Sequence, residues 1–154
     1  MNIEPYKKVG LIDFNDNLKT LTEKLKDYEI KISERKFMGK SKTTVFIESL
    51  DLIIILKENG KSIDTIESFK HSLLYDNIDL LKNDFKFLIN KFESYDIELI
   101  KESDGFRSDK LGIGIYWDGE LDKNPKSVIV YSKGHYDKDI DPNDIINYYL
   151  NKKK

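Results

Sequence analysis

Cysteine, alanine and glutamine are absent from this chain of 154 residues, proline occurs three times, arginine and histidine twice each, and tryptophan once. Without cysteine there is no disulfide, no thiol nucleophile and no thiolate metal site, a composition that suits a cytoplasmic protein. The two histidines, His71 and His135, lack a second ligand at metal spacing, so neither a metal nor a cofactor is expected. The longest apolar run, residues 52–56, is five residues, where a bilayer needs about twenty. The opening residues carry no apolar signal region, so a cytoplasmic protein with no membrane association is expected. The missing alanine and glutamine, beside abundant Ile, Lys, Asp and Asn, read as codon usage of an AT-rich genome and not as physics. The pair Gly112-Ile113-Gly114 lacks the third glycine of a dinucleotide fingerprint, and Tyr116-Trp117 continues a strand where a helix should begin.

What is present is enough apolar and aromatic side chain, 39% and 12% of the chain, to build one core despite 35% charged residues. A single domain spanning 1–154 is expected, with possible halves 1–72 and 73–154. The halves are suggested by two amphipathic helices 67 residues apart. Leu18, Leu21, Thr22 and Leu25 in the first, and Phe85, Leu88, Ile89 and Phe92 in the second, stand at the i, i+3, i+4, i+7 spacing of one helix face. Strand-forming segments follow each helix, so the layout is two tandem helix-plus-strand units.

Around the first helix, Val9-Gly10-Leu11-Ile12-Asp13-Phe14 reads as a short strand-like run, with Asn15 or Asp16 as the helix cap and a helical end near Asp27. Tyr28, Ile30 and Ile32 alternate as a half-buried strand, 37–42 reads as a turn, and 43–48 as a strand with Val45 and Ile47 on one face. Residues 52–56 followed by Asn59-Gly60 predict a hairpin with a type I′ turn. Ile63, Ile66 and Phe69 would lie on its return strand, where the three-residue spacing implies a bulge. Continuous apolarity in 52–56 places that strand centrally in the sheet.

In the second unit a helix is expected from about Leu80 to Ser94, then strands at 97–101, 111–117 and 127–131. Gly112 and Gly114 leave part of a strand bare, so something must lie close against it. Asp141, Pro142 and Asp144 mark the start of a C-terminal helix. Strands that outnumber helices and adjoin by hairpins give an α+β fold with a mainly antiparallel sheet.

Charge is unevenly placed. Residues 1–95 hold 16 acids and 16 bases, whereas 96–150 hold 12 acids and 7 bases before three terminal lysines. An acidic C-terminal third disfavours nucleic acid and favours a basic partner, although the same acids would also serve simply to solvate the surface. Within it, Trp117 precedes the acidic loop Asp118-Gly119-Glu120-Leu121-Asp122, pairing an aromatic anchor with steering charge. Burial of Trp117 in the core is the competing reading. The candidate partner-binding residues are Tyr116, Trp117, Asp118, Glu120, Asp122, Tyr136, Asp137 and Asp139.

Two further constellations are weighed. His135, beside Asp137 after a strand, could stand as a general base. Asp104, Arg107, Asp109 and Lys110 could bind an anion through the guanidinium fork, or merely pair with one another on the surface. No paired nucleophile accompanies either, so no catalytic residue is assigned.

The run 9–14 before a helix, the two units, and the closing Leu111-Gly112-Ile113-Gly114-Ile115-Tyr116, Ser127-Val128-Ile129-Val130-Tyr131 and Gly134-His135-Tyr136-Asp137 together resemble small bacterial immunity proteins of polymorphic and contact-dependent growth inhibition toxin systems. That resemblance implies a non-enzymatic protein that binds and neutralises a cognate toxin, often a nuclease, whose basic site an acidic surface could occupy. It implies no particular contact residue. A small-ligand protein or enzyme using a pocket around His135 and Arg107, and a housekeeping interaction domain, are the other classes.

Overall fold

The computed structural model describes residues 1–37, 39–58, 60–137 and 150. It begins with three two-residue strands, β1 (Ile3–Glu4), β2 (Lys8–Val9) and β3 (Ile12–Asp13), paired in that order. The run 9–14 is therefore a hairpin and not one strand, because Gly10 takes a positive φ and turns the chain.

Helix α1 (Leu18–Lys24) starts at Asn17, whose side chain accepts from the backbone N–H of Thr20 at 2.8 Å. Neither Asn15 nor Asp16 is the cap. Asp16 is committed elsewhere, accepting from the Asp13 N–H at 3.0 Å and pairing with Lys24 at 2.8 Å.

Four antiparallel strands follow: β4 (Ile30–Phe37), β5 (Lys40–Ile47), β6 (Leu52–Leu56) and β7 (Ile63–Ser68). The expected turn at 37–42 is mostly strand, since β4 and β5 run in register out to Phe37 opposite Lys40. The β6–β7 connection spans 57–62, longer than the two-residue turn expected, and Asn59 lies outside the described residues. The bulge is there: Ile55 faces Thr65 and Leu56 faces Ile63, which leaves Asp64 as the extra residue. Phe69 falls just beyond the strand.

A small hairpin, β8 (Leu74–Tyr75) and β9 (Ile78–Asp79), precedes α2 (Phe85–Tyr95), which is capped by Asp84 accepting from the Phe87 N–H at 2.7 Å. Four more antiparallel strands come next: β10 (Ile100–Glu102), β11 (Gly105–Ser108), β12 (Ile113–Tyr116) and β13 (Ser127–Tyr131). Ile97, expected in the first of these, is 98% exposed and precedes it. The C-terminal helix expected from Asp141 lies outside the described residues.

The two sets of four join into one eight-stranded sheet of order β10-β11-β12-β13-β7-β6-β5-β4, so β13 pairs with β7 and both halves share one sheet. The fold is α+β and mainly antiparallel. A row across five neighbouring strands, Val45, Ile54, Ile66, Val130 and Ile113, is fully buried and joins Leu21 of α1 and Leu88 of α2 in one core. Phe92 and Phe85 of α2 reach Phe106 of β11 at ring-centroid distances of 5.2 and 5.3 Å. Strand β6 is interior, as its apolarity implies: Leu52, Ile54 and Leu56 are buried and Ile53 and Ile55 half-buried. No helix among the described residues is long and apolar enough to cross a membrane.

Candidate functional site

The richest chemistry gathers where the end of β13 meets the β7 bulge. Asp64 is 1% exposed. Its carboxylate receives Lys42 Nζ at 3.0 Å, His135 Nδ1 at 2.9 Å and Ser132 Oγ at 3.3 Å, while its carbonyl accepts the Ser132 N–H at 2.8 Å. The bulge explains this aim, because an unpaired residue is released from strict alternation and can turn its side chain toward the sheet end. Burial opposes ionisation of Asp64. The hydrogen bonds and charges of His135 and Lys42 outweigh it and hold the carboxyl well below the usual carboxylate range. A carboxylate beside His135 is that of Asp64; the side chain of Asp137 lies outside the described residues.

Beside this dyad is a cavity of about 160 Å³ walled in part by Tyr6, Asp109, Tyr131, His135 and Tyr136. Tyr6 arrives from the β1–β2 turn, where its φ is +60°, and its hydroxyl donates to the Asp109 carbonyl. Its ring occupies the space over Gly112, where a Cβ would come within 2.9 Å of it; Ile129 fills the same role over Gly114. These two side chains are what the bare glycine surface accommodates. Tyr131 donates both to the Ser108 carbonyl (2.8 Å) and to Asp109 Oδ1 (2.7 Å). Burial first, and the neighbouring Asp109 second, push its phenol far up.

Arg107 does not line the cavity. Its guanidinium stacks over the Tyr136 ring at 4.1 Å, bonds Glu102 and reaches Asp109 Oδ1 at 3.3 Å. The other members of the sequence constellation go elsewhere: Lys110 Nζ bonds the Tyr95 carbonyl at 3.0 Å and the Asp104 carbonyl accepts from the Trp117 N–H at 3.0 Å. Asp104, Arg107, Asp109 and Lys110 therefore form no shared anion site.

Of the partner-binding candidates, Tyr116 and Tyr136 meet, hydroxyl to hydroxyl, at 3.3 Å, and Tyr136 is 37% exposed. Burial and that hydrogen bond raise the Tyr136 phenol. Trp117 is not a free anchor. It stacks on Phe85 at 4.1 Å with 17° between planes, and its Nε1 donates to the Ser103 carbonyl at 3.1 Å, so it packs against the core. Asp118, Glu120 and Asp122 are exposed, with Glu120 paired to Lys123 at 2.7 Å. Their loop is fixed through its backbone: the Leu121 and Lys123 carbonyls accept from the Lys86 and Phe85 N–H groups at 3.0 and 2.9 Å, at the start of α2. Asp139 lies outside the described residues.

His71 sits apart, its imidazole pushed down by burial and by the chain's own N-terminal ammonium. Among the described residues no three metal-binding side chains cluster. The residues that sequence reasoning missed are Asp64, Lys42 and Tyr6, which lie 71, 93 and 129 positions from His135; only the three-residue spacing around Asp64 hinted at them.

No protein-family model matches this chain, and no curated protein sequence does. Its fold is similar to that in the crystal structure of the uncharacterized protein yfeY from Escherichia coli, with 12% identity and a TM-score of 0.59 over 82% of this chain and 97% of that one. At that identity the likeness is one of fold alone.

Proposed function

We propose that this chain is an immunity-type protein that binds and neutralises a cognate bacterial toxin, with a basic toxin domain as partner and no catalysis of its own. The observation that carries the reading is the exposed acidic loop Asp118, Glu120 and Asp122, which follows closely on the half-buried Tyr116, itself in hydroxyl contact with the exposed Tyr136. Fixed acids steer a cationic partner, and tyrosines beside them supply contact area at low entropic cost. Asp137 and Asp139 continue the acidic character in sequence. In the same proposal the chain acts in the cytoplasm, as part of a polymorphic or contact-dependent growth inhibition system, without nucleic-acid or membrane contacts. In that proposal its architecture is two copies of one helix-plus-strand unit.

A tagged-protein pull-down, joined to the identity of the neighbouring gene, tests this. Recovery of a stoichiometric complex with the C-terminal domain of a large secreted protein is the expected result; loss of growth protection without such a complex refutes it. A small-ligand role is the second reading, favoured by one observation: the cavity beside the Asp64–His135 pair.

A further inference from the structure

We infer that the cavity beside His135 receives the cationic head, guanidinium or ammonium, of a side chain projected by the basic partner; this deepens the partner-binding reading and rests on it. Size permits it: about 160 Å³ is some tenfold more than the ~10–15 Å³ one water requires. The walls are aromatic and boxed. Tyr6 and Tyr136 stand at 80° and 89° to Tyr131, with centroids 6.3 and 4.8 Å away. Such π surfaces attract cations, and more strongly once water is displaced.

The polar groups point the same way. Asp109 Oδ1 is taken by Tyr131 and Arg107, but no described residue bonds Oδ2. His135 Nδ1 lies 2.9 Å from the Asp64 carboxylate, and Nε2 has no partner among the described residues. Asp109 Oδ2 thus remains for an incoming N–H donor. Among the described residues the charged groups around the ring are Asp64, Lys42, Asp109, Arg107 and Lys133. Lys42 is committed to Asp64 and Arg107 to Glu102 and Asp109, while exposed Lys133 can turn its ammonium to water as a cation enters.

The test is a ¹H–¹⁵N NMR titration of the full chain with L-argininamide, and separately with sodium phosphate, at pH 7.5. Expected are saturable shifts centred on Gly134, His135 and Tyr136, with affinity lowered about fivefold or more in Asp109→Asn and Tyr136→Leu. Phosphate saturating the same signals, or argininamide shifts that do not saturate or ignore both substitutions, overturns the inference. If Asp109→Asn fails to fold, Tyr136→Leu, at a half-exposed position, carries the test. Argininamide binding with no toxin partner upholds the site while the immunity reading falls. A toxin complex indifferent to Tyr136→Leu removes the site while the immunity reading stands.

Discussion

Replacing Asp64 by asparagine keeps the side-chain shape at the β7 bulge and removes one buried negative charge. Breaking a buried ion pair by removing one partner costs about 3–5 kcal/mol, because the other charge is left stranded. Here the stranded partners can rehydrate in part, since the side chains of Lys42 and His135 are 40% and 21% exposed. The lower end, about 3 kcal/mol, is therefore expected, which for a chain of this size lowers Tm by about 6–12 °C. Urea unfolding followed by fluorescence of Trp117, the single tryptophan, measures it.

The pH dependence gives the sharper test. The folded-state pKa of Asp64 is depressed below its ordinary 3.8, so its stabilisation is complete above that value and is lost as pH falls through the lower folded value. The gap between wild type and Asp64→Asn should be constant from pH 7 to about pH 5 and should narrow below about pH 4. Equal stability at pH 7, or a gap unchanged at pH 3, would show that the charge on Asp64 contributes nothing.

Three other outcomes are expected. Phe92→Ala, which removes a 1% exposed ring packed against Tyr75, Tyr95 and Phe106, should cost about 3–5 kcal/mol in chemical denaturation; a loss below 1 kcal/mol would contradict the packing. Gly105→Ala would set a Cβ 2.0 Å from the Ile115 carbonyl oxygen at a φ of +156°, so the β11–β12 pairing should open and amide exchange there should accelerate markedly. Reversing Asp118, Glu120 and Asp122 to lysine together should leave Tm within a few degrees and slow association with the basic partner at low salt; an unchanged on-rate in surface plasmon resonance speaks against that loop as the steering surface.

Strand β13 was legible in the sequence to the residue, because Ser127-Val128-Ile129-Val130-Tyr131 is a β-branched and aromatic run bounded by polar loops. Helix faces were legible too: Leu21, Leu88 and Phe92 are buried as their spacing requires. Boundaries were not. Asn17 competes with Asn15 and Asp16 for the cap, and only geometry decides among three adjacent polar residues. The β4–β5 hairpin outran its apolar pattern because its outer part, from Lys31 to Lys36, is exposed and needs no hydrophobic alternation. The pocket was half visible. His135 could be singled out by its position after a strand, but its carboxylate comes from another strand, Lys42 from a third and Tyr6 from the first turn of the chain. Long-range convergence of that kind leaves no local pattern.

The joining of β7 to β13 sets a schedule for the chain as it is synthesised. One edge of β7 pairs with β6 as soon as both have emerged, but the other edge can be satisfied only by residues 128–131. At about 5–20 residues per second, roughly 60 residues of further synthesis leave that edge bare for about 3–12 seconds. Throughout the interval a strand holding Ile63 and Ile66 offers unpaired backbone at what will become the middle of the sheet, a template that any neighbouring nascent chain can reach. A stop or a pause before Ser127 would leave that edge without its partner.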